Sequence, residues 1–277
     1  MARKDNGEPI MTLRLAALAA ALALAACASA PSYDAIIRGG MVYDGTGAAG
    51  VPADVAIEGD RIAAVGYLGK AKADLVIDAG GKAVAPGFIN VLSWATETLI
   101  EDGRGQSDLL QGVTLEVFGE GWSMGPLNEA MRAESLKQQG DIKFDIPWSS
   151  LGGYLEHLEK KGVSPNVASF VGATTVRIHE LGYEDRAPTA AELARMQDLV
   201  RAAMREGALG VGASLIYAPA FYAKTDELIA LTRAAAESGG GYIAHMRSEG
   251  DRYLEAIDET IAIAKAANTR AQIYHLK

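Results

Sequence analysis

The sequence has a single cysteine, Cys27, so no intrachain disulfide can form. It is also short of base: 26 Lys and Arg stand against 35 Asp and Glu, a net charge of −9. That balance excludes the basic face of a nucleic-acid-binding domain, so no nucleic-acid partner is expected. Only four histidines are present, which leaves few candidates for imidazole metal ligands. The uncharged run Leu15–Ala26 falls short of the ~20 apolar residues of a membrane-spanning helix. No dinucleotide-binding glycine fingerprint follows any strand candidate.

What is present is globular in composition, 49% hydrophobic and 22% charged. At the N-terminus, Arg14 precedes the run Leu15–Ala26, which fits the apolar core of a secretory signal. Leu24-Ala25-Ala26-Cys27 looks like a bacterial lipobox, in which Cys27 is lipidated and becomes the new N-terminus. The alternative is plain cleavage after Ala26-Cys27-Ala28. We expect an exported protein, periplasmic or an outer-membrane lipoprotein, touching membrane only through the anchor at Cys27. Residues 1–30 are therefore read as leader, and residues 1–10, ahead of Met11, as an upstream extension.

Residues 31–85 read as a small β domain. "YDAIIRGGMVYDGTG", "ADVAIEGDRIAAVG" and "ADLVIDAGGKAVAPG" are short alternating runs broken by glycine, with a hairpin signal at Glu58-Gly59-Asp60. They leave no room for a helix, and a small antiparallel sheet is expected. After Pro86 the period changes. The strand candidates "GFINVLSW", "VTLEVFGE", "NVASFVG", "LGVGASLIY", "GYIAHM" and "AQIYHLK" alternate with helical stretches such as "MGPLNEAMRAESLKQQ", "LGGYLEHLEKKG" and "TAAELARMQDLVRAAMREG". Alternating βα units imply a parallel sheet with right-handed crossovers. The expected class is α/β, with residues 86–277 forming a TIM-type (β/α)8 barrel. About six units are present, and the segment is shorter than the ~250 residues of a complete barrel, so a truncated barrel is expected.

In such a barrel, chemistry sits at the C-terminal ends of the strands. His245 in "GYIAHMRSEGD" and His275 in "AQIYHLK" occupy equivalent places on consecutive strands, where two imidazoles can converge on one ion. Glu120 in "LEVFGEGWSMGPL" follows the second strand and can supply a carboxylate. The bland readings are structural histidines and a solvated loop acid. His157, in "YLEHLEKK", reads as exposed on a helix, and His179, after "TTVRI", as a loop residue; neither is a candidate ligand. Arg247 can pair a substrate carboxylate or fix its own loop through Glu249 or Asp251. Tyr217 and Lys224 face the same rim.

Together these stretches resemble the N-acyl-D-amino-acid deacylases (D-aminoacylases) of the amidohydrolase superfamily. The resemblance is carried by "DAIIRGGMVYDGTG", "DVAIEGDRIAAVG", "VIDAGGKAVAPGFIN", "QGVTLEVFGEG", "GALGVGASLIYAP", "YIAHMRSEGD" and "QIYHLK", in that order, from Tyr33 to the end. It implies a metal-bearing (β/α)8 barrel with a small β-sandwich built from both chain ends. It also implies His-x-His after the first strand, a cysteine after the second, histidines after the fifth and sixth, and an aspartate after the eighth. Here His245 and His275 match, Leu92 and Trp94 stand in place of His-x-His, and Glu120 lies in the cysteine's loop. The aspartate would lie beyond Lys277.

The resemblance thus implies one zinc, held by Glu120, His245 and His275. It implies hydrolysis of a small-molecule, non-peptide amide, an N-acyl-D-amino acid giving a D-amino acid and a carboxylate. Related amides, a lactam or a dipeptide, are the variant of that reading. The rival is a degenerate, surface-anchored binding protein with Trp94 and Trp122 lining an apolar pocket.

Overall fold

The computed structural model describes residues 31–277; the expected leader and Cys27 lie outside the described residues. The chain divides into two compact units, the first ending at Pro86 and the second spanning Gly87–Lys277.

The first unit is one sheet of β1 (Ser32–Val42), β2 (Val51–Glu58), β3 (Arg61–Gly66), β4 (Lys72–Asp78) and β5 (Ala83–Val84). β2 and β3 form the hairpin expected at Gly59-Asp60, with Glu58 opposite Arg61. The sheet is mixed, which corrects the antiparallel expectation. β1 is antiparallel to β2 but parallel to β4 and β5. β1 is long enough to serve both partners in turn, β4 along its first part and β5 at its end. Its register against β2 shifts between Ile37 and Gly40. Asp54 holds that irregularity, accepting from Gly39 N at 2.9 Å and Leu68 N at 3.2 Å. Ile36, Ala56 and Ala71 form the unit's core.

The second unit is α/β. β6 (Phe88–Asn90), β7 (Val113–Phe118) and β8 (Asn166–Ser169) make one parallel sheet. β9 (Val171–Gly172), β10 (Gly210–Ser214), β11 (Gly241–His245) and β12 (Ala271–Ile273) make another. Only Phe170 separates β8 from β9, so one run of chain serves both sheets. Successive residues bury opposite faces: Val117, Phe170 and Ile243 cluster together. Phe118, Val171 and Tyr242 join the main core under the helices. Burial on both faces is the habit of a parallel sheet.

Eight helices connect the strands. α1 (Thr98–Glu101) and α2 (Gln106–Leu109) are single turns that the sequence reading omits. α3 (Glu129–Gln138) starts five residues after Met124, because Asn128 caps it by accepting from Met131 N. α4 (Leu151–Lys161) and α6 (Ala190–Arg205) lie where expected, and Thr189 and Glu192 form a capping box at the start of α6. α5 (Ala173–Leu181) replaces the loop expected around His179. α7 (Thr225–Ala236) and α8 (Tyr253–Ala267) complete the set. Arg177 of α5 and Glu227 of α7 form a buried ion pair at 2.7 Å, with side chains 1% and 4% exposed.

Candidate metal centre

The residues of interest stand at the C-terminal ends of parallel strands: Trp94 after β6, Glu120 after β7, His245 closing β11, and His275 after β12. The backbone at Glu120 depends on its neighbours. Gly119 and Gly121 have φ of +104° and +76°, a region that side chains other than glycine's rarely adopt. A Cβ on Gly121 would lie 2.6 Å from Ser214 Cβ, and one on Gly119 would strike the Phe170 carbonyl. Close packing of this turn on β10 and the β8–β9 run aims Glu120 inward, leaving it 7% exposed.

Glu120, His245 and His275 each offer a ligand atom, all within 4.8 Å of one another. Among the described residues this is the one such group found. Glu120 Oε1 lies 2.8 Å from His245 Nδ1, and His275 Nε2 lies 3.1 Å from the same nitrogen. Two nitrogens at tetrahedral zinc, each ~2.0–2.1 Å from the ion, stand about 3.3 Å apart. One proton on His245 Nδ1 cannot satisfy both neighbours, whereas one cation can.

The surroundings fix the cluster. Trp94 Nε1 donates to Glu120 Oε2 at 3.0 Å. Tyr217 places its ring edge-on to His245, with centroids 5.3 Å apart. Glu249 brings Oε1 to 3.2 Å from Nε2 of both His245 and His275. Those approaches lack hydrogen-bond geometry: buried His245 Nε2 and Glu249 Oε1 have no hydrogen-bond partner. Glu249 is the residue that the sequence reading placed elsewhere, as a partner for Arg247. Its i,i+4 spacing from His245 was the available signal.

Arg247 is committed within the fold. Its Nε and Nη2 pair with Glu259 at 2.9 Å, and it donates to the carbonyls of Phe221 at 2.8 Å and Ala223 at 2.9 Å. The loop-fixing alternative holds, with Glu259 of α8 rather than Glu249 or Asp251 as partner. His157 is partly buried rather than exposed, its ring 4.9 Å from that of Trp148. His179 contacts Glu180 at 3.0 Å on α5. Neither joins the cluster.

A mixed α/β unit carrying two imidazoles and a carboxylate at parallel strand ends defines a protein with a candidate metal centre of the hydrolase kind. No protein-family model matches the chain. The D-aminoacylase of Alcaligenes xylosoxydans xylosoxydans is 34% identical over 249 residues, 88% of this chain and 51% of that protein. A D-aminoacylase structure described by its binuclear metal centre, with one-metal activation and second-metal attenuation, superposes with a TM-score of 0.78 at 35% identity. It is matched over 87% of this chain and 51% of that one. The N-acyl-D-glutamate deacylase of Bordetella bronchiseptica, complexed with zinc and a phosphonate mimic of the tetrahedral intermediate, gives 0.77 at 34% identity, over 87% and 50% of the two chains.

The chain is thus a relative of the D-aminoacylase and N-acyl-D-amino-acid deacylase family. It spans about half the length of the curated relatives it matches. The relatives named by activity are deacylases, which gives the rival binding-protein reading no support.

Proposed function

We propose that this chain carries the metal centre of a zinc-dependent amidohydrolase that cleaves N-acyl-D-amino acids to a D-amino acid and a carboxylate. The observation that carries the proposal is the convergence of Glu120, His245 and His275 within 4.8 Å. The donor set suits the ion: two imidazoles and a carboxylate are a common catalytic zinc set, with a fourth position for water or substrate. Glu249 Oε1, buried without a hydrogen-bond partner and 3.2 Å from His275 Nε2, adds a second carboxylate beside the cluster. Glu120 and Glu249 together carry the two negative charges that balance one divalent ion, so a single ion is proposed.

Such an ion supplies Lewis acidity, polarising a carbonyl and lowering the pKa of water. The chain's own residues do the rest. Glu120, His245 and His275 would hold the ion, Trp94 fixes the carboxylate by its second oxygen, and Tyr217 borders the space beside His245. In the same reading the parallel runs from β6 to β12 are part of a (β/α)8 barrel. The exposed apolar side chains Leu75 and Ile77, which share one face of β4, support one layer of a β-sandwich.

Metal analysis after zinc loading and dialysis tests the proposal. About one zinc per chain is expected, with N-acyl-D-amino acid hydrolysis following it, and both lost in His245→Ala and His275→Ala. A chain that retains no zinc would overturn it. Export and lipidation at Cys27 are proposed on the leader sequence alone. Labelled fatty acid should enter the protein expressed in bacteria but not Cys27→Ser; equal labelling of both would refute the anchor.

A further inference from the structure

Beside the metal centre the second unit has a cleft, open to solvent on one side, of about 490 Å³. That is within the range of small-molecule sites, ~300–1,000 Å³. Its walls include Trp94, Trp122, Leu127, Met131 and Phe144. The wall is pinned in place: Trp148 Nε1 donates to the Met124 carbonyl at 2.7 Å, Leu127 N to the Ser149 carbonyl at 2.7 Å, and Asn128 Nδ2 to the His179 carbonyl at 3.1 Å. The cavity and the centre share Trp94, whose ring lines the one while its N–H bonds Glu120 of the other. Gly119, next to Glu120, lines the cavity too.

We propose that this cavity receives the acyl chain of the substrate, and that the chain is apolar, longer than acetyl and free of a terminal acid. The assignment rests on the deacylase reading. An amide carbon at the triad has two substituents, the acyl chain and an amine whose α-carbon bears both the carboxylate and the amino acid side chain, so that side chain cannot enter without bringing the carboxylate to the same wall. Charge decides which of them enters. The lining contains no Lys, Arg or His, and its charged members are Glu97 and Glu134. A carboxylate there would be repelled by the two acids and would lose water without gaining a cationic partner. The α-carboxylate is therefore turned away, and the acyl chain takes the apolar space. The same two acids reject a dicarboxylic acyl group. Lys277, by contrast, stands 3.6 Å from Glu249 and does not line the cavity.

The test is calorimetric binding of N-acyl-D-alanines to the zinc-free chain, where no hydrolysis intervenes. From butanoyl to octanoyl, affinity should rise about three- to fourfold per methylene, the factor for burying one CH2. A 7-carboxyheptanoyl group of matching length should bind at least about tenfold more weakly than octanoyl. Glu134→Lys should narrow that gap, and Phe144→Asp should flatten the chain-length series. Glu134 is only partly buried, on α3, so its variant remains informative if Phe144→Asp fails to fold. A flat series in the parent chain, or no discrimination against the acid, overturns the proposal whatever the zinc result. A steep series in a chain that binds no zinc removes the deacylase reading, and with it the acyl assignment.

Discussion

Replacing Trp94 with Phe keeps an aromatic ring at the cavity wall and deletes one hydrogen bond, indole Nε1 to Glu120 Oε2 at 3.0 Å. Glu120 is 7% exposed, so water does not readily replace the lost donor. A hydrogen bond to a charged group contributes about 1.5–3 kcal/mol. Trp94 itself is 58% exposed, which places this bond at the lower end. About 1.4 kcal/mol is a factor of ten, within the ~10–100-fold that supporting hydrogen bonds give a metal site. The bond matters because it occupies Oε2 and leaves Oε1 facing His245 Nδ1 at 2.8 Å. Without it the carboxylate can rotate, and ordering it falls to the ion. Zinc affinity, measured by competition with a chromophoric chelator, should weaken about tenfold in Trp94→Phe with little change in urea midpoint. An unchanged or tighter zinc affinity would refute the argument that Trp94 orients Glu120.

Three further outcomes follow from named contacts. Burial pushes the Glu116 carboxyl above its ordinary value of 4.5, the charge of Asp108 adds to this, and hydrogen bonds from Ser93 and Asn90 oppose it. Its protonated form therefore favours folding below about that value, and the benefit is lost as pH rises through the folded pKa. Glu116→Gln should gain urea stability relative to the parent between pH 4 and 7; a constant difference would contradict this. Arg177→Ala leaves Glu227 charged and buried and should cost about 3–5 kcal/mol of unfolding free energy; a loss under 1 kcal/mol would show that the pair is not buried in solution. Gly121→Ala forces a side chain into a positive-φ position against Ser214, a strain of about 1–3 kcal/mol; zinc affinity should fall with stability, and a variant equal to the parent in both would deny the tight turn.

The histidines were legible because each ends an apolar strand run, and parallel βα order places such ends together. Glu120 was legible from its flanking glycines. Partners distant in sequence were not. Arg247 suggested Glu249 and Asp251 because they are near along the chain, but the crossover helix α8 brings back Glu259. α5 was hidden by Thr174, Thr175, Val176 and Ile178, β-branched residues that resist helix. All four are buried, so packing overrides propensity. The parallel β1–β4 pairing was hidden because a hairpin intervenes, and short alternating runs specify strand but not direction.

Glu120 and His245 lie 125 residues apart, and His275 follows His245 by 30. No local segment of the chain can therefore bind the ion as the assembled fold would. β7 and β11 must both be seated first, with the three parallel crossovers β7–β8, β9–β10 and β10–β11 complete. Zinc would act as a late staple across the unit, binding the native state and not the unfolded chain. At a free concentration of 100 times its Kd it would add about 2.7 kcal/mol to stability. Protection from proteolysis by added zinc would then report that the chain had closed from β7 to β12, before any substrate had been offered.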